Sequence, residues 1–164
     1  AFKPPIPSEA ILARNVKGPY PKNVVDSPAT RRRSVYMFHK RVTPYPFMQA
    51  FDRPDATVSC ARRSITTVAP QALALLNDPF VRSRARDFAN RLQGECDGSP
   101  AELVERAYRI ALSRSPTDAD RAASIAFLEQ QSKRRDLVSE SIHPDALVDF
   151  CQALFSLNEF AYVD

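Results

Sequence analysis

Fourteen prolines against three glycines narrow what this chain can fold into more than any other feature of it. Proline locks φ, lacks an amide donor and restricts the residue before it, so a regular element tolerates one only near its start. Pro4, Pro5, Pro7, Pro19, Pro21 and Pro28 therefore rule out long regular elements over residues 1–30, where a short helix at Ser8–Arg14 is the most that fits. Ile6, Ile11, Leu12, Val24 and Val25 make this arm too apolar for a free tail. The scarcity of glycine disfavours phosphate-cradling loops and tight two-residue hairpins, both of which need left-handed backbone.

From residue 70 onward the prolines mark beginnings. Pro70 can open a helix to Leu76. Asp78 then caps a second helix with Pro79 at its first position, predicted to run to about Leu92 and stop at Gly94. Ser99-Pro100-Ala101-Glu102 is a capping box that opens a third helix to about Leu112. Thr117-Asp118-Ala119-Asp120 opens a fourth, ending in the polar run Gln130–Arg135, and His143-Pro144-Asp145 opens a fifth, to about Leu157. In the fifth, Leu147, Val148, Phe150, Cys151, Leu154, Phe155 and Leu157 cover most of the circumference, the mark of a helix buried on several sides. Short connections favour a small bundle. The expected fold is all-α: a bundle of about five helices over residues 70–164, with an irregular, proline-rich N-terminal third wrapped on it. At 164 residues one domain buries roughly 70% of its unfolded surface and needs no metal or disulfide to fold. No internal repeat is visible.

Residues 31–69 resist such a reading. Ser34–Arg41 suits a short helix or a strand, Pro46–Phe51 one helical turn, and Cys60–Val68 an irregular segment. Their charge is more telling. Arg31–Arg63 holds eight Lys/Arg against Asp52 and Asp55, a local +6 that exceeds the +4 of the whole chain and leaves −4 over residues 64–164. The candidate binding residues are Arg31, Arg32, Arg33, Lys40, Arg41, Arg62 and Arg63, with Tyr36 and Phe38 among them. Guanidinium groups can fork onto sulfate, phosphate or carboxylate, and rings can stack on sugar faces. The same cations could instead pair with the acidic helical half. Nucleic acid is not an expected partner, because zinc spacing, an RNP motif and a GxxG loop are all missing.

Catalytic apparatus is not recognisable. His39 lies between Phe38 and Lys40, and His143 precedes a helix-opening proline, where capping is the expected role. Cys60, Cys96 and Cys151 show no CxxC, CxxCH or zinc-type spacing, so a cofactor or metal is not expected in this chain. Cys151 falls on the buried face of the fifth helix and reads as a small apolar core group. Asp118/Asp120 and Glu102/Glu105 sit near helix starts, where the helix dipole explains them. The first residue is Ala, no charged-then-apolar leader is seen, and no apolar run nears the ~20 residues a membrane span needs, so the chain reads as a processed product or an excised domain.

Residues 28–80, from PATRRRSVY through FDRPD (51–55) to PQALALLNDPF (70–80), together with ALSRSPTDAD (111–120) and DFCQALFSLNEFAYVD (149–164), resemble the C-terminal domain of a large planctomycete-type family of unknown function. In that family the domain follows a second uncharacterised domain, often with a cytochrome-c-like haem domain further upstream. The resemblance implies an exported, extracytoplasmic protein, with any haem confined to the missing upstream part. It supplies no catalytic residues. The expected function is a non-catalytic C-terminal module that docks on its own upstream domains or on a protein partner. The alternatives are a binding module for anionic, sulfated polysaccharide, and part of an enzyme whose site needs the upstream region.

Overall fold

A computed structural model of the chain describes residues 3, 24, 27–39, 45–51, 53, 68–135 and 142–161. Two 3₁₀ turns, Pro28–Thr30 and Ser34–Tyr36, precede seven α-helices among these residues: α1 Pro46–Ala50, α2 Val68–Asn77, α3 Pro79–Glu95, α4 Pro100–Leu112, α5 Asp118–Arg135, α6 Pro144–Phe155 and α7 Asn158–Ala161. The fold is an all-α helical bundle, and α2 to α6 are the five helices expected. The chain divides into two compact units, residues 1–71 and 72–164. The short helix expected at Ser8–Arg14 and most of the segment 60–68 lie outside the described residues.

Local chemistry sets the helix starts. The Asp78 carboxylate accepts from the amide of Phe80 at 2.7 Å, the Ser99 hydroxyl from that of Glu102 at 3.2 Å, and Nδ1 of His143 from that of Asp145 at 3.2 Å. Each is followed by proline, whose missing donor falls where the helix has no acceptor for it. A reciprocal capping box opens α5: the amide of Asp120 donates to the Thr117 hydroxyl and the amide of Thr117 to the Asp120 carboxylate, both at 3.1 Å. The box read at Ser99 is divided differently. There the Glu102 carboxylate accepts from Asp97, and the Ser99 amide donates to the Asp97 side chain instead.

Three boundaries depart from the sequence reading, and the first is the start of α2, which begins at Val68, two residues before the Pro70 expected to open it. α3 does not stop at Gly94 but continues through it to Glu95, because nothing forces that glycine out of right-handed backbone. The break comes at the extended Cys96, and Gly98 takes the left-handed turn at φ +94°. α6 ends at Phe155 rather than near Leu157, with α7 following as a separate short turn. In the front segment, the described residues of Ser34–Arg41 do not form a full helix. One 3₁₀ turn leads into extended backbone at Met37, and residues 40 and 41 lie outside the described residues.

The core lies in the second unit. Ala85, Phe88, Ala89 and Leu92 of α3 meet Leu103, Val104, Ala107 and Tyr108 of α4, with Leu128 from α5. α6 supplies Leu147, Val148, Phe150, Cys151 and Leu154, and packs against α3, α4 and α5. Leu92, Leu128 and Leu147 are wholly enclosed. A polar strut joins α2 to this core: the buried Gln152 donates to the carbonyls of Leu75 and Leu76, at 3.2 and 2.8 Å, and accepts from Arg82. Those carbonyls lie in the last turn of α2, where no helical amide reaches them.

Candidate functional site

Arg31, Arg32 and Arg33 sit between the two 3₁₀ turns of the first unit. The leading turn is tied by Ser27 and Thr30, whose hydroxyl donates to the Ser27 carbonyl at 2.8 Å and accepts from the Ser27 amide at 3.0 Å. The following turn is closed by Tyr36 and Met37 amides donating to Arg33 and Ser34 carbonyls, each at 3.0 Å. All residues from Arg31 to Tyr36 are exposed; Val35 retains 72% and Tyr36 60% of its accessible surface. Met37 is buried and anchors the stretch, while Phe38 faces outward with the Lys3 ammonium 5.7 Å from its ring centre.

His39 does not add to this charge. Burial and the neighbouring Arg53 hold its pKa below the ordinary 6.5, against the opposing pull of a hydrogen bond with the Ser34 backbone, so the ring is neutral at pH 7. Of the nine residues singled out from sequence, Arg31, Arg32, Arg33, Tyr36 and Phe38 therefore form one exposed cationic and aromatic stretch. Lys40, Arg41, Arg62 and Arg63 lie outside the described residues.

The second unit carries a separate ionic system that the sequence reading did not anticipate. Arg91 and Arg106 converge on Glu95, and Arg109 and Arg121 on Glu105. Arg82 and Arg135 share Asp149, while Arg84 holds Asp87. Arg114 forks onto Glu159 through Nε and Nη2, at 2.6 and 2.9 Å, and reaches Asp120 through Nη1 at 2.9 Å. Bonds to arginine hold the Glu95, Asp120 and Glu159 carboxyls below their ordinary range; for Glu105 the Ser115 hydroxyl leads and Arg109 follows. The spacings of Arg84/Asp87, three residues apart, and of Arg91/Glu95 and Glu105/Arg109, four apart, each on one helix, are the parts of this a sequence displays.

A second overlooked feature is apolar. Leu73 and Leu76 share a face of α2 and remain 59% and 52% exposed; Phe80, just past the helix break, is 39% exposed, with the Arg84 guanidinium 5.3 Å from its ring centre. Gln71 and Leu75 occupy the buried side of α2. The signal was present in Ala72-Leu73-Ala74-Leu75-Leu76, which holds more apolar surface than one helical face can bury.

Reactive groups are quiet among the described residues. Burial pushes the Cys151 thiol up to about 12, and burial followed by the carboxylate of Glu102 raises that of Cys96, so both stay protonated at neutral pH. Among the described residues three or more His, Cys, Asp or Glu are nowhere grouped to hold a metal, and no helix is long and apolar enough to cross a membrane.

A family model described as PSD1, protein of unknown function (DUF1553), matches residues 3–128. The chain belongs to that family. The match includes the basic stretch and ALSRSPTDAD; it ends within α5, before α6. No curated protein and no solved structure matches the chain.

Proposed function

We propose that this member of the DUF1553 family is a non-catalytic docking module of a larger, exported, multidomain protein, working against its own upstream domains or a protein partner. The observation that carries the reading is the exposed trio Leu73, Leu76 and Phe80. Large apolar side chains left in water within eight residues of each other favour association, since covering them releases roughly 25 cal/mol per Å². The arrangement of caps and ion pairs in the bundle is that of a rigid scaffold, which suits a part that presents a surface.

The test is binding of the separately produced upstream region by calorimetry, comparing the native chain with Leu73→Ser/Leu76→Ser/Phe80→Ser. Loss of binding in the triple variant, with unchanged circular dichroism, supports docking through this surface. Equal binding by both proteins removes it.

A second reading has its own observation. Arg31–Arg33 and Tyr36 are exposed side by side, an arrangement suited to a sulfated polysaccharide. That reading requires retention on immobilised heparin that falls steeply with salt and disappears in Arg31→Ser/Arg32→Ser/Arg33→Ser. Retention no greater than that of a control protein of equal charge rejects it.

A further inference from the structure

We propose that α7 is a detachable latch, and that the end of the bundle beneath it is a docking site for a protein segment presenting a carboxylate next to an aromatic ring. α7 is four residues long, and all four are exposed. One turn has no helical stability of its own, because nucleation costs more than so few hydrogen bonds return. Two side chains attach it to the bundle. Glu159 takes the fork of Arg114, and the Phe160 ring lies 4.9 Å from that of Phe155.

The two sides of this contact are unequal. Glu159 and Phe160 are both more than a third exposed, at 44% of its side chain and 41%. The surface receiving them is held independently of them. Arg114 also bonds Asp120 and the Ser115 carbonyl, and its guanidinium lies 5.2 Å from the centre of the buried Tyr108 ring. Phe155 stacks on Phe88 at 5.7 Å. Ser113, at φ 58°, turns the chain so that Arg114 faces this end. When α7 lifts, the receptor keeps its shape while the latch loses its own.

The chemistry of the occupant follows from what remains. A guanidinium edge suits a planar two-oxygen anion, and Phe155 suits a neighbouring ring. The nearby Arg109 and Arg121 are both engaged by Glu105, and Nη1 of Arg114 stays on Asp120, so the Nε–Nη2 edge of Arg114 is the one cationic edge released when Glu159 leaves. A single carboxylate fits that balance better than a phosphate or a sulfated polymer. The partner assignment rests on the docking reading, but the surface is distinct from Leu73, Leu76 and Phe80.

The probe is a fluorescent peptide copying residues 156–162, SLNEFAY, followed by anisotropy with the full chain. Glu159→Gln/Phe160→Ala opens the latch and binds the peptide at least ten-fold more tightly than the native chain. Adding Arg114→Gln, or Arg114→Lys, which keeps the charge and loses the fork, abolishes the gain. Equal binding by latch variant and native chain, or a gain that survives Arg114→Gln, overturns the proposal. Amide exchange on the native chain is an independent check: residues 158–161 exchange at least a hundred-fold faster than α6, and equal protection overturns the latch. Failure of the upstream region to bind at the α2–α3 surface leaves these outcomes unaffected, so the two readings fail separately.

Discussion

The front stretch, residues 27–39, and the bundle, residues 72–161, both carry abundant arginine and set it in different surroundings. In the bundle Asp87, Glu95, Glu105, Asp120, Asp149 and Glu159 each take an arginine from the same compact unit. In the front stretch three consecutive arginines stand exposed beside Tyr36. The lesson is that net charge says little about how a charge is used: the −4 of residues 64–164 conceals eleven cations, most of them structural.

The comparison holds only if the bundle's order comes from its core, and the largest expected effect tests that. Ending the chain after Arg135 removes α6, with Leu147, Val148, Phe150, Cys151 and Leu154, and should abolish cooperative thermal unfolding. A sharp transition in that truncated chain would break the contrast outright. Leu147→Ala should cost about 2–5 kcal/mol in urea unfolding. Met37→Ala, which removes the anchor of the front stretch, should cost less than Leu147→Ala.

Next comes the strut. Gln152→Ala strands the Leu75 and Leu76 carbonyls and should cost about 1–3 kcal/mol, read as a lower urea midpoint with unchanged slope.

Acid should separate the two regions by pH. The carboxyls of Glu95, Glu105, Asp120 and Glu159 are depressed in the fold, so they stabilise it above their ordinary values of 4.5 and 3.8. That contribution is lost as pH falls through the lowered values, and the midpoint of the bundle should decline only below about pH 4.5. His39 is depressed from 6.5, so the front stretch should loosen first, with amide protection factors at residues 34–39, corrected for the intrinsic pH dependence of exchange, falling as pH drops below 6.5. Coincident onsets would merge the regions. The smallest effect is expected for Arg31→Ser/Arg32→Ser/Arg33→Ser, within about 0.5 kcal/mol of native stability, as for exposed side chains generally.

Legibility followed distance along the chain. Asp78-Pro79, Ser99-Pro100, Thr117-Asp118-Ala119-Asp120 and His143-Pro144 each state a helix start within four residues, and the structure places helices there. The buried character of α6 was equally plain, since one helix carries the whole pattern. Arg114 and Glu159 are 45 residues apart and Arg82 and Asp149 are 67 apart, and no local rule connects them. The exposed Leu73 and Leu76 were missed for a related reason: composition gives the apolar surface of α2 but not which side finds a neighbour. In the candidate site, the cluster of arginine and tyrosine could be read directly, whereas its exposure could not.

Gly94 has a practical corollary. It is helical, nothing lies within 4 Å of where a β-carbon would sit, and it is the second-last residue of a helix whose inner face is already filled. Alanine there should stabilise the fold by roughly 0.5–1 kcal/mol through a less disordered denatured chain, and so raise the melting temperature, without disturbing a single contact. A crystallographer wanting a hardier sample has a one-methyl remedy at hand.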